Sequence, residues 1–515
     1  MNHSKHATGK RAMVVSGHDK ATQAAIAVLE RGGSIADAAL AGAAVLSVVL
    51  PHACGLGGDA FVLVHDAASG KTLGLNASGR SPALAQRSSF PDGLQERGPL
   101  SCNVPGMIAG WQALHDRYGR LPWAELLGPA IGLAHDGFGV SPVLAKASAL
   151  HRHMLNEDSR TLFLPDGVPL LAGQTLRQPQ AAQTLQAIAR EGGASFYQGA
   201  IGASVARACQ AAGGLIRESD LRAYAPEWVE PIETGYAGHV VRTMPPNSYG
   251  LYLLLQLMAL EASQDKGGKG LDAPARITKL IRAAQAAFQV GARAVADPDP
   301  RYGTEPARLL LGPEGARRLR TAMGGKPGNL GGTAVISVAD HQGNAVTIIQ
   351  SVFLVFGSGV SDAETGVLLN NRLFGFTMEP GHPNEVGPNK YPAHTLCPAM
   401  VFRDGRLRYA VTTPGGPGQT LTLAQVMQAM FEEGATLAQA IQAPRWTMDL
   451  AGHSLFEHTM PEQVVRGVQA LGEPMKAGEP GSPYFGSVKG IALEEDGTLV
   501  GAADHRRDAT VRGLS

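Results

Sequence analysis

The spacing of apolar residues changes period several times along the chain. Ala12–Ser16 is an apolar run of strand length, and Asp19–Glu30 has the 3.6-residue spacing of an Ala-rich helix closed by Gly32-Gly33. Ser34-Ile35-Ala36-Asp37 reads as a capping box, the Ser hydroxyl and the Asp carboxylate each accepting the other's backbone N–H. It opens a second, very apolar helix to about Val49, which Pro51 closes. The period falls to two at Phe61–His65 and Lys71–Leu75, an expected hairpin around Ala67–Gly70. From Pro105 to about Tyr224 helical spacing dominates, most clearly at Trp111–Arg117, Trp123–His135 and Ala181–Arg190. A strand at Gly238–Thr243 and a long helix at Leu251–Ala262 follow, then a polar, Gly-rich loop at Ser263–Ala273.

The sharpest break is Met323–Gly332, a Gly- and Pro-bearing stretch of low helix and strand propensity. Immediately after it Thr333–Ala339 and Ala345–Phe353 are expected strands joined by a turn at Asp340–Asn344. Ala399–Arg403 and Arg408–Thr412 flank Asp404-Gly405, a hairpin signal. Helices at Leu421–Phe431 and Leu437–Ile441 and a strand at Ser487–Leu493 complete the pattern. Strands and helices thus occur in both halves, which favours one layered α/β body over independent modules.

Charge narrows the class. The net charge is +0, only 17% of residues are charged, and 44% are hydrophobic, with 65 Gly. No electrostatic case exists for nucleic acid or an anionic membrane as partner. The longest apolar run, Ala38–Leu50, is shorter than the roughly 20 residues of a membrane span. The basic residues Met1–Arg11 run straight into Ala12–Ser16 with no apolar h-region of signal-peptide length, and Cys54, Cys102, Cys209 and Cys397 have neither metal-ligand nor disulfide-framework spacing. The expectation is a cytoplasmic enzyme with buried free thiols.

Several motifs fail on context. Gly55-Leu56-Gly57-Gly58-Asp59-Ala60 matches a dinucleotide fingerprint, but that motif needs strand before and helix after, and here the order is reversed; a tight glycine turn is the better reading. His151 and His153 lack a third ligand and read as a solvated helix face. Asp297-Pro298-Asp299 reads as a turn.

Gly331-Gly332-Thr333 does not fail. A hydroxyl residue after glycine, preceded by a loop and opening a strand, suits self-cleavage by an N-to-O acyl shift. The Thr hydroxyl attacks the preceding carbonyl, the ester is hydrolysed, and the Thr becomes a new N-terminus. Its α-amine then serves as base for its own hydroxyl.

The segment from Thr333 to Val346 resembles the start of the small subunit of γ-glutamyltransferases (γ-glutamyltranspeptidases), which are N-terminal-nucleophile hydrolases. Further similar motifs run in the family's order: Gly32–Ala39, Pro51-His52 with Gly55–Gly58, Val104–Gly110, His135–Phe138, Met244–Pro246, Gly366–Asn371, Gly387–Lys390, Pro414–Gly416 and Ala443–Arg445. The resemblance implies an αββα four-layer sandwich built as one body from two self-cleaved chains, residues 1–332 and 333–515. It implies cleavage between Gly332 and Thr333, Thr333 as nucleophile, and Ser351 in place of a Thr that hydrogen-bonds it. Gly415 and Gly416 match the oxyanion-hole glycines, and no cofactor or metal is implied.

Where this sequence departs from the family, it bears on substrate. The family's acceptors for the substrate's α-ammonium are replaced by Phe353, Arg372 and Gly375, and its paired carboxylate-binding serines by His394 and Thr395. Its carboxylate-binding Arg corresponds to Arg80, two residues later than the family pattern. The resemblance therefore implies a small amide donor with a carboxylate and no α-amine, as in the oxamate amidohydrolase branch, or a cephalosporin-type or glutaryl acyl group. The alternatives are a glutathione hydrolase or γ-glutamyltransferase that holds the amine by other residues, and an unprocessed metabolite-binding pseudoenzyme. Oligomeric state, pathway, and transfer to an acceptor stay open.

Overall fold

The structure, a computed structural model, describes residues 5–263, 270–322, 325, 332–449 and 451–515. Most of the two sequence-read loops at 263–273 and 323–332 lies outside these residues, Gly331 included.

Two seven-stranded antiparallel sheets face each other. The first runs Thr510–Leu514, Ala12–Ser16, Gly332–Asp340, Ala345–Phe353, Asp59–Asp66, Lys71–Ala77, Glu227–Val229. The second runs His6–Gly9, Leu499–Ala503, Lys489–Leu493, Arg406–Thr412, Ala399–Arg403, His239–Thr243, Ile232–Tyr236.

Alternation along the strands sorts the side chains into layers. Val15, Phe61, Leu63, Val335 and Ile349 of the first sheet meet Met400, Phe402, Leu407 and Ile491 of the second in one apolar core. Their neighbours Val14, Val62, Ile336, Val338 and Ile348 point the other way, under helices Asp19–Glu30 and Ile35–Val49. Val241, Val401 and Val411 likewise lie under Gly250–Glu261, Pro274–Gly291 and Gly418–Phe431. The result is the expected helix–sheet–sheet–helix sandwich.

The Ser34–Asp37 capping box forms as read, with Asp37 N donating to Ser34 Oγ at 3.0 Å and Ser34 N to Asp37 Oδ2 at 2.8 Å. The apolar run it opens is a helix buried on nearly every side, and among the described residues no helix is long and apolar enough to cross a membrane. All four cysteines are buried free thiols. Residues 55–58 form a glycine turn leading straight into strand Asp59–Asp66.

Candidate active site

Period-two alternation also builds the site. Val335 and Ile349 face the inter-sheet layer, so Thr333, Ser351 and Phe353 lie on that same face at one end of their strands. Asp59, two before Phe61 and paired with Ser351, joins them from the next strand. In the facing sheet Ile491 sets the same parity for Lys489. Beyond this last rung the apolar core stops and a polar cluster begins.

Thr333 sits in a register shift: Gly332 pairs with Phe353, then Ala334 with Gln350. Such a bulge re-aims the side chain within it. Thr333 is 4% exposed, and its Oγ1 has no hydrogen-bond partner among the described residues. The expected Ser351–Thr333 hydroxyl contact is therefore not made in the intact chain. Ser351 Oγ instead accepts from Phe353 N at 2.7 Å, holding Phe353 at φ 78°. A bulky residue in the left-handed region stores strain of the kind that clusters at functional sites.

Gly415 (φ 134°) and Gly416 (φ 57°) follow Pro414, which lines a small cavity with Thr333. Both need a left-handed backbone, and a Cβ on Gly415 would press on Gly486 Cα at 3.2 Å. Their N–H groups make no hydrogen bond within the described residues and stand just before helix Gly418–Phe431, whose N-terminal end favours negative charge.

Asp59, absent from the sequence-read site, is its electrostatic centre. Fully buried, it accepts from Gly79 N at 3.0 Å, Arg372 Nε at 3.2 Å and His394 Nε2 at 3.3 Å. The Gly-Gly-Asp before the strand was its only sequence signal. His394 is also 4.6 Å from the Phe61 ring, and burial, then the nearby Arg372 charge, hold its imidazole down at about 4. It is neutral at ordinary pH, and its Nε2 proton is committed to Asp59.

Arg372 is 0% exposed. Its guanidinium carbon lies 4.1 Å from the Phe353 ring centroid, and burial lowers it to about 10 despite Asp59. Only Nε is hydrogen-bonded; both terminal amino groups lack a partner among the described residues. A buried guanidinium with four N–H donors unused is costly unless something completes it. Phe353, Gly375 and Thr395 line an adjacent cavity of about 250 Å³ walled by Tyr249, Tyr252 and Phe376.

Arg80 lies elsewhere. It donates to Glu227 at 2.9 Å and to the buried Asp297 at 3.1 Å, and stacks 3.7 Å from the Tyr391 ring centroid. Two carboxylates already neutralise its charge. The Asp297 turn is present as read, with Asp299 N donating to Asp297 Oδ1, but its carboxylate anchors Arg80. A cavity of about 790 Å³ opens near Asp340 and His341, at the other end of the strand that holds Thr333.

A family model for gamma-glutamyltranspeptidase matches residues 21–514. The chain is 32% identical to the glutathione hydrolase-like YwrD proenzyme of Bacillus subtilis, covering 99% of this chain and 100% of that one. It is 32% identical to the oxamate amidohydrolase proenzyme of Klebsiella pneumoniae, over 97% and 98% of the two chains. The crystal structure of cephalosporin acylase from Bacillus halodurans superposes with a TM-score of 0.93 at 30% identity, covering 100% of this chain and 98% of that one.

Proposed function

The chain belongs to the gamma-glutamyltranspeptidase family of N-terminal-nucleophile hydrolases, and from that premise we propose that it cleaves itself before Thr333 and then hydrolyses a small amide bearing a carboxylate but no α-ammonium. Cleavage frees the Thr333 α-amine, which takes the hydroxyl proton as Oγ attacks the substrate carbonyl. The Gly415 and Gly416 amides receive the oxyanion, ammonia leaves with the transferred proton, and water resolves the acyl-enzyme.

The observation that carries the substrate class is Arg372. Its fixed fork, with two unpartnered amino groups, matches a carboxylate, and the same positive charge opposes an ammonium. The donor's carboxylate is assigned to Arg372 rather than to Arg80, which Glu227 and Asp297 occupy. Phe353 closes the guanidinium off from the cavity, so substrate approach requires that strained residue to turn aside. An oxamate-like amide fits this reading; a γ-glutamyl donor brings an ammonium next to Arg372, with Phe353 and Gly375 offering it no acceptor.

The test is kcat/KM of the wild type for oxamate and for a γ-glutamyl anilide. A clear preference for oxamate is expected. A preference of orders of magnitude for the anilide would replace this reading with a glutathione hydrolase or γ-glutamyltransferase.

A further inference from the structure

Self-cleavage poses a problem that mature turnover does not. Before cleavage the Thr333 nitrogen is an amide with no basic lone pair, so the α-amine cannot take the hydroxyl proton. The first acyl shift needs another base. Ser351 Oγ is accepting from Phe353 N, and Thr333 Oγ1 has no partner among the described residues.

The cavity beside Thr333 contains a lysine in an unusual state. Lys489 opens strand Lys489–Leu493 of the facing sheet, paired with Thr412, and is 1% exposed. Its Nζ donates to Ser487 O at 2.8 Å and to Ser487 Oγ at 2.9 Å. No carboxylate of the described residues is within ion-pair distance of it. Asp504, the acid whose charge acts on Lys489, is committed to Arg445 at 2.7 Å and Arg506 at 3.0 Å. Buried lysines without an acid partner shed their charge, and a neutral amine suits this geometry. Its two hydrogens satisfy Ser487, and one lone pair is left over. Burial, with Arg507, Lys5 and Arg445 nearby, lowers the ammonium well below its ordinary range.

Lys489 and Thr333 line the same cavity of about 30 Å³. A single water needs roughly 10–15 Å³ of such space. Two further polar atoms with no partner among the described residues belong to residues lining it, His52 Nδ1 and Asp508 Oδ2. They supply the hydrogen-bond partners a bridging water requires. His52 is itself a weak base, since burial and Arg507 hold it at about 3.

We propose that Lys489 is the general base of self-cleavage, taking the Thr333 hydroxyl proton directly or through one water. This rests on the reading that the chain cleaves itself at Gly332–Thr333. Oγ bonds to the Gly332 carbonyl carbon as its proton passes to the Lys489 amine. The ammonium then returns that proton to the Thr333 nitrogen as the Gly332–Thr333 C–N bond breaks, leaving an ester. Water hydrolyses the ester to a Gly332 carboxylate and a free Thr333.

The experiment follows conversion of freshly purified full-length chain into two chains on denaturing gels, with the new N-terminus sequenced. Lys489→Met and Lys489→Arg, the second keeping a charge that does not deprotonate, should each slow conversion about 100-fold or more. Lys489→Ala should be slow too, and ethylamine should restore it in proportion to unprotonated amine, a readout that a structural role would not give. Wild-type conversion rates in Lys489→Met, or a folded Lys489→Ala indifferent to ethylamine, would overturn the proposal. Should Lys489→Ala fail to fold, Lys489→Met alone decides by its rate. A wild type that does not split, or splits elsewhere, sinks the cleavage reading instead, and the two failures are distinct.

Discussion

Arg372→Met is the most discriminating perturbation of substrate recognition. The side chain is of similar length and apolar, so it refills the space against Phe353 while removing every donor. If each of the two free amino groups of Arg372 makes one charge-assisted hydrogen bond to the substrate carboxylate, the loss is about 1.5–3 kcal/mol per bond. Together that is roughly a hundred-fold to a few ten-thousand-fold in kcat/KM. Activity alone would be a poor measure, because the substitution also removes one of Asp59's donors, leaving His394 and the Gly79 amide among the described residues. The ratio of kcat/KM for oxamate to that for oxamide, its uncharged diamide, cancels any loss of folded enzyme. The wild type should favour oxamate strongly, and Arg372→Met should abolish most of that preference. Arg372→Lys should recover only part of it, since an ammonium cannot make the bidentate contact. If the ratio in Arg372→Met stays within two- or three-fold of wild type, Arg372 does not hold the carboxylate and the substrate assignment fails.

Thr333→Ala should give one full-length chain without amide hydrolysis; two chains cut at this bond would remove Thr333 as nucleophile. Arg80→Ala should leave the oxamate-to-oxamide ratio within about two-fold but lower the melting temperature, because it strips the buried Asp297 of its cation; a collapse of the ratio would return the carboxylate to Arg80. His394 and His52 are held neutral in the fold, at about 4 and about 3 against an ordinary 6.5. Depressed histidines bind protons only on unfolding, so stability should fall as pH drops below about 6.5, by up to about 1.4 kcal/mol per pH unit for each. Melting followed from pH 8 to pH 4 checks this, and Arg372→Met should weaken the effect, because Arg372 is one of the groups depressing His394.

Much of the architecture is legible in local spacing. Helices Asp19–Glu30 and Ile35–Val49 and strand Ala345–Phe353 lie where period and capping place them, because both act within a few residues. Strands His6–Gly9 and Thr510–Leu514 carry no such pattern. They exist because Leu499–Ala503 and Ala12–Ser16 present unpaired backbone to them. Helix Pro274–Gly291 is a different omission: its Ile277, Leu280, Ile281 and Phe288 stripe is readable by the same rule that found the others.

The site divides along the same line. The proposed cleavage at Gly332-Thr333 needs only local sequence, because an acyl shift involves a residue and its own neighbour. Which arginine is free to meet a substrate is not legible there. The acids that neutralise Arg80 come from 147 and 217 residues away, and Asp59, 313 residues from Arg372, engages only its Nε. Likewise Lys489 is an ordinary strand residue in sequence. Only the facing of two sheets carries it out of water and beside Thr333, and charge in a protein interior is set by what surrounds a group through space. Periodicity and bond-neighbour chemistry are short-ranged and so are written in the sequence, whereas burial and charge pairing join distant segments and are decided by the tertiary fold.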